Sequence, residues 1–368
     1  MFRFFETRIN PYPKGEPSTP PRKLLPFLLH YSRPLLPWLI AMSVLTGVIS
    51  ALEITFFDYM GQLVDWMGST GRDSFLQVHG EKLLWMGVLV LVAYPLLVLV
   101  QSLIIHQTIF GNYPMIARWL SHRYLLRQSV GFFQDEFAGR ISQKVMQTAL
   151  SIRETVMKLM DVFVYVVVYF VGTVVLVAQA DVWLVLPLVV WLVSYLLLVF
   201  HFVPRLQKVS MAQSDARAQM TGRIVDSYTN IQTIKLFAHT MREQDYARGA
   251  MDEFMVTVHA QMRLVTQLTV SLHTLNAFLL ASVAGVAIWA WLQSSISMGA
   301  IAVAIALVMR IRSMSDWILW EVAGLFENIG TVEDGMGTLA QPLAIADAKD
   351  GKDLDVAHGE IRFDHVKF

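Results

Sequence analysis

Six apolar runs dominate the chain: Leu35 to about Asp65, Leu83 to about Phe110, Val156 to Ala178, Val182 to Val203, Leu264 to Leu292 and Met298 to about Ile329. Each matches or exceeds the ~20 apolar residues that a bilayer-crossing helix needs. The connections between them are of two kinds. Three are short, namely Gly68 to Glu81, the turn at Asp181, and Ser294 to Ser297. Two are long and polar. Residues 205 to 263 contain no proline and only the isolated Gly222 and Gly249, and Ile224, Tyr228, Ile231 and Ile234 recur there at three- and four-residue spacing. That stripe predicts amphipathic helix. The fourth and fifth runs should therefore continue far beyond the lipid as a pair of helices that meet at a short turn and pack on other such fingers.

Composition agrees with this pattern. Hydrophobic residues make up 55% and charged residues 16% of the chain, and mean hydropathy is +0.49, which is too apolar for an ordinary soluble domain. The predicted fold class is an all-α membrane protein of six transmembrane helices with long cytoplasmic extensions. The formal net charge of zero conceals an asymmetry. The connection from Asn112 to Thr155 carries Arg118, Arg123, Arg127, Arg140, Lys144 and Arg153, and the opening stretch carries Arg3, Arg8, Lys14, Arg22, Lys23 and Arg33, whereas the short connections hold little beyond Arg72. The positive-inside bias places both termini and both long loops in the cytoplasm. The first 34 residues are a basic, proline-punctuated arm and no cleavable signal. Leu24 to Tyr31 predicts an interfacial elbow helix, and the residues before Pro21 read equally as an unstructured tail. With no cysteine in the chain, disulfides and thiolate metal sites are excluded.

Three stretches resemble one family. Gly222-Arg-Ile-Val-Asp226, Asn230-Ile-Gln-Thr-Ile-Lys-Leu-Phe-Ala238 and Arg242-Glu243 resemble the second intracellular loop of ATP-binding-cassette exporters. Phe132-Phe133 with Gly139-Arg-Ile-Ser142 is similar to the first loop of that family. The alternation of Ile361 and Phe363 with polar residues in Gly359 to Phe368 reads as a strand start, and a sequence of this kind opens the ATP-binding domain in the family. The resemblance divides the chain into a cytoplasmic arm and elbow (1–34), a six-helix transmembrane domain (35–330), and a linker with the first strand of an ATP-binding domain (331–368). It implies a half-transporter, most simply a homodimer, in which the fourth and fifth helices cross to the partner subunit. The fingertips would dock on ATP-binding domains through Glu136, Phe137, Ala138, Gly139 and Arg140 in the first loop and Ala238, His239, Thr240, Met241, Arg242 and Glu243 in the second. A bare solvated turn is the alternative for both. No stretch has the Gly-x-x-x-x-Gly-Lys-[Ser/Thr] form of a phosphate loop, so ATP and magnesium are expected on a continuation beyond Phe368 or on another polypeptide, with no cofactor in this chain.

The sixth run carries most of the candidate chemistry. Arg310 lies about 12 residues past the outer loop, roughly 18 Å deep at ~1.5 Å per residue, where charge is costly and normally faces a bundle interior or a watery cavity. At ~100° per residue, Arg310, Trp317, Glu321 and Asn328 share one stripe, and Arg312, Asp316, Trp320 and Glu327 share the next. Ile311, Met314, Ile318, Leu319, Val322, Leu325, Phe326 and Ile329 occupy the opposite arc. Arg310, Arg312, Asp316, Trp317, Trp320 and Glu321 are therefore the candidates for a substrate cavity. The competing arrangement is an internal Arg312–Asp316 pair at four-residue spacing. Among other polar residues in the runs, Glu53 reads as the partner of a basic residue on another helix, and His106 and His273 as interhelical hydrogen bonders, beside Asp161 and Asn276; Asp58 to Asp65, with Gly61 between, resembles the outer end of the family's first helix, which implies that Asp65 is a cap near the outer side. No metal signature and no nucleophile–base set is present. The expected function is the membrane half of an exporter of amphipathic or anionic substrates, of drug, lipid or peptide class, in a bacterial inner membrane. Its partners would be lipid, a second copy and an ATP-binding domain, with no nucleic acid. A receptor, a regulator or a channel with cytoplasmic hairpins is the alternative.

Overall fold

The computed structural model describes residues 2–15, 18–135, 138–237, 240–345 and 358–367. Among them six helical spans are long and apolar enough to cross a membrane: Leu24–Ser69, Phe75–Leu125, Gly139–Ala180, Val182–Thr229, Met241–Leu292 and Met298–Leu339. A short helix α1 (Phe2–Glu6) precedes them. The first span is an elbow α2 (Leu24–Ser32) that bends at Pro34 into α3 (Leu36–Ser69). The second contains α4 (Phe75–Val88), α5 (Tyr94–Ser102) and α6 (Asn112–Leu125), joined by π-turns at Leu89–Ala93 and Leu103–Ile109. Pro95 explains the first π-turn. Its ring clashes with the carbonyl four residues earlier and it has no N–H to donate, so the preceding turn widens.

After α7 (Val130–Asp135), the third span runs through α8 (Ala138–Met157), a π-turn at Lys158–Val162 and α9 (Phe163–Ala180). The fourth is α10 (Val185–Thr229), the fifth α12 (Thr240–Leu292), and a six-residue helix α11 (Ile231–Leu236) lies between them. The sixth is α13 (Met298–Leu339). The expected pair of long helices is present, with its turn earlier than expected. The chain leaves α10 at Asn230, whose side chain bonds the Asp226 carbonyl at 3.0 Å, so the tip is α11, while Thr240 to Glu243 already form the first turn of α12.

Two large apolar cores are joined by α13, which also shares a small cluster of Ile54, Tyr169 and Met314 with α3 and α9. One gathers α2, α3, α6 and α8 around the end of α13, with Phe27, Leu39, Ile116, Ile152 and Val332 at its centre. The other packs α10, α12 and the start of α13 around Leu188, Leu272, Ala287 and Leu307. The N-terminal arm is folded onto the first core. Ile9 is buried, Thr108 donates to the Phe5 carbonyl at 3.2 Å, and Asn112 donates to that of Glu6 at 3.3 Å. At the other end, residues 358–367 form no strand and are exposed. An isolated strand has nothing to complete its backbone hydrogen bonds, and no neighbouring strand is present among the described residues.

Candidate functional site

The site is built on α13 and the helices that hold it. The N-terminal end of α13 is fixed by capping: the Ser297 hydroxyl accepts from the Ala300 amide at 3.1 Å. Asp65 of α3 accepts from the Gly299 amide at 2.8 Å and from Ser297 Oγ at 2.7 Å. Asp65 is thus a cap, as expected, and the helix it caps is the sixth. The approach requires glycine, since a Cβ on Gly299 would lie 2.2 Å from the Gly61 carbonyl oxygen. Halfway down, Tyr195 donates to the Ser315 carbonyl at 2.9 Å, Asn276 donates to Ser315 Oγ at 2.8 Å, and Trp191 donates to Asn276 at 2.9 Å. These bonds tie the rear of α13 to α10 and α12 and set which face is left open.

That open face agrees with the predicted arcs. Ile311, Met314, Leu319 and Leu325 are buried, while Arg312, Asp316, Trp317 and Trp320 are exposed; Phe326, placed on the apolar arc, is exposed as well. Arg310 lies at the border. Its Nη2 is 3.3 Å from Glu53 Oε2 of α3 and donates to Tyr165 of α9 at 2.8 Å. Tyr165 in turn donates to Glu53 at 2.8 Å, and Tyr94 of α5 does so at 3.0 Å. The guanidinium carbon stands 5.8 Å from the Tyr169 ring centroid, and Trp317 meets Tyr165 edge-on at 6.2 Å. One cluster therefore joins the first, second, third and sixth spans. Glu53 has its basic partner on another helix, and that partner is Arg310.

Glu321 takes another partner. It pairs with Lys158 Nζ at 2.5 Å, in the π-turn of the third span, and so does not serve Arg310 along its own stripe. Arg312 and Asp316 form no ion pair with one another among the described residues; both are exposed. His106 bonds Ser102 on its own helix at 3.1 Å, and His273 stands on the exposed face of α12. Neither makes the expected interhelical bond, because both point away from their neighbours. Asp161 accepts from Thr46, which accepts from Gln101 Nε2 at 2.8 Å, a hydrogen-bonded link among the first three spans.

Sequence reasoning missed Lys158, Tyr94, Tyr165 and Tyr169. Lys158 had a signal: it lies inside the third apolar run, where a cation is costly unless a carboxylate on another helix pairs with it. The arrangement can hold an anion. A guanidinium has five donors, and the observed contacts to Glu53 and Tyr165 both use Nη2, while 41% of the Arg310 side chain stays accessible.

The fingertip residues fall in two places. Ala138, Gly139 and Arg140 open α8, and Thr240, Met241, Arg242 and Glu243 open α12, where Glu243 accepts from the Ser227 hydroxyl of α10. Glu136, Phe137, Ala238 and His239 lie outside the described residues. The end of the second finger is apolar, with Tyr228 72%, Leu236 81% and Met241 73% exposed.

Residues 38–314 match the family model of the ABC transporter transmembrane region. Over all 368 residues the chain is 43% identical to a Haemophilus influenzae protein described as an uncharacterized ABC transporter ATP-binding protein, and it spans 60% of the length of that protein. Its fold matches a bacterial Atm1-family ABC exporter solved with ATP bound, with a TM-score of 0.65, 14% identity, and coverage of 89% of this chain and 56% of the other. Six spans, two long helical fingers and a match across most of the chain place this protein in the ABC transporter transmembrane-domain family, as an integral membrane protein with the exporter fold.

Proposed function

We propose that the chain is the translocation half of an ATP-driven exporter for amphipathic or anionic substrates, of drug, lipid or peptide class, and that it works as a homodimer. The observation that carries this reading is the half-open Arg310–Glu53–Tyr165 cluster beside exposed Trp317 and Trp320. It offers an anion a cation with spare donors, and an apolar body two aromatic faces. The setting is a bacterial inner membrane with both termini cytoplasmic, as the distribution of basic residues favours. ATP and magnesium would sit on an ATP-binding domain, because no stretch of this chain has the phosphate-loop pattern. The chain's own residues hold the substrate and transmit motion. Drawing the fingertips together would close the inner side of the cavity and open the outer, and differential affinity for ATP in the two states would drive the switch.

Inverted vesicles containing the intact transporter test the reading. ATP-dependent accumulation of an amphipathic anion inside them is expected. ATP hydrolysis without accumulation would favour a receptor or regulator, and flux without ATP a channel. Replacing Arg310 and Arg312 together by alanine should weaken substrate-stimulated hydrolysis about tenfold or more, as loss of charge-assisted bonds implies. An unchanged response across a panel of anions would remove the arginines from the substrate path.

A further inference from the structure

The N-terminal arm closes over a second cavity, none of whose lining residues belongs to α13. It has a volume of about 510 Å³ and lies in the crevice between α6 and α8, within the ~300–1,000 Å³ usual for small-molecule sites. The arm is strapped in place. Trp119 donates to the Pro13 carbonyl at 3.2 Å, and Arg123 donates to the carbonyls of Pro13 at 3.1 Å and Gly15 at 2.5 Å. Tyr12, on the arm, meets Trp119 edge-on at 5.5 Å and walls the cavity.

The lining divides by chemistry. Ile141, Val145 and Met146 of α8 give it an apolar side. Arg118 and His122 of α6 give it a basic side, and no carboxylate lines it. Arg118 Nε is buried without a hydrogen-bond partner, and no carboxylate among the described residues pairs with its guanidinium. Arg123, further along α6, turns Nη1 to the arm. A partly buried cation without a counter-charge is costly unless something supplies the acceptor. Arg118 also lies between Tyr113 and Ser121, the α6 residues that bond the elbow through Ser32 and Tyr31, so the basic side stands at the level of α2.

We infer that this cavity binds a small amphipathic anion, with its phosphate or carboxylate head on Arg118 and His122 and its acyl or aromatic body against Ile141, Val145 and Trp119. The ligand would complete the hydrogen bonding of Arg118 and hold the arm down through Tyr12. The same chemistry could come from an acidic lipid of the adjacent leaflet or from a soluble amphiphile.

The test uses the full chain in nanodiscs of neutral phosphatidylcholine, with radiolabelled dodecyl phosphate as probe, dodecanol as its uncharged counterpart and empty nanodiscs as blank. Saturable binding of the phosphate is expected, with Arg118→Gln weakening it roughly tenfold or more, as loss of a charge-assisted bond implies, and Val145→Trp abolishing it by filling the space. Should Val145→Trp fail to fold, Arg118→Gln still decides. No saturable binding, equal binding by Arg118→Gln and the parent, or dodecanol binding as tightly as dodecyl phosphate would each overturn the inference. Phosphatidylglycerol in the disc that competes in an Arg118-dependent way assigns the lipid source; absence of competition assigns the soluble one. The readout needs neither ATP nor transport, so failure of the exporter reading leaves it intact.

Discussion

The two long fingers are both polar, charge-mixed stretches of the chain, and they end in opposite states. The first, formed by α6, α7 and α8, is enclosed by its own chain: α13 lies along α8, the elbow and the arm lie against α6, and Ile116, Ile152 and Thr148 are buried. The second, the extension of α10 and α12 with α11 at its end, packs mainly on itself and leaves Val225, Tyr228 and Leu236 largely exposed. Exposed apolar surface of this kind marks an interaction site. The first finger is therefore stabilised within the subunit, whereas the second leaves apolar side chains that its own chain does not cover.

If that contrast is right, close packing should govern the first finger. A Cβ on Gly335 of α13 would lie 1.8 Å from Thr148 Oγ1 of α8, and Thr148 is buried. Gly335→Val should cost about 3 kcal/mol, the upper end of the usual overpacking penalty, read as a lowered midpoint of thermal unfolding. Unchanged stability would mean that α8 and α13 can separate freely.

Charge offers the next comparison. Lys158 and Glu321 tie the top of the first finger to α13, with only 15% and 24% of their side chains accessible. Removing one partner strands the other, so Lys158→Ala should cost about 2 kcal/mol, somewhat below the figure for fully buried pairs. Lys158→Met combined with Glu321→Met should recover most of the loss. The second finger has an ion pair too, Arg223 with Glu253 at 3.5 Å, but these are 27% and 59% accessible. Arg223→Ala should change stability by less than ~1 kcal/mol. Equal losses in the two fingers would remove the distinction between them.

The exposed tip should behave in the reverse sense. Leu236→Asp, at a side chain 81% accessible, should leave thermal stability within ~0.5 kcal/mol. In the intact transporter the same change should reduce transport-coupled ATP hydrolysis about tenfold, which corresponds to ~1.4 kcal/mol of lost coupling. Normal coupling would show that α11 is an ordinary solvated connection.

Much of this architecture was legible in the sequence because it is local. Apolar run length predicted the spans, and the arcs of α13 predicted the burial of Ile311, Met314, Leu319 and Leu325 but not the exposure of Phe326. Long-range pairing was legible only in part. Glu53 declared its need for a cation from residue type and depth alone, and Asp65 its role as a cap through the resemblance of Asp58 to Asp65 to the outer end of the family's first helix. The identity of each partner depends on helix order in three dimensions: Glu53 meets Arg310 257 residues away, and Lys158 meets Glu321 163 residues away. The position of the second tip was missed for a different reason. The apolar stripe runs on through Ile231 and Ile234, so periodicity carried the helix past Asn230, where the backbone turns at φ −98° and ψ 23°.

Gly222 provides the smallest test, and it has the opposite sign to Gly335. It sits inside α10 near the end of the second finger, and a Cβ added there would meet nothing within 4 Å. Alanine restricts the unfolded chain and favours helix, so Gly222→Ala should stabilise the protein by about 0.5–1 kcal/mol. The same substitution type thus costs stability where α13 presses on α8 and adds it where the finger stands clear. If Gly222→Ala instead destabilises the isolated subunit, a neighbour must already occupy that face, and the second finger is not bare in the folded monomer.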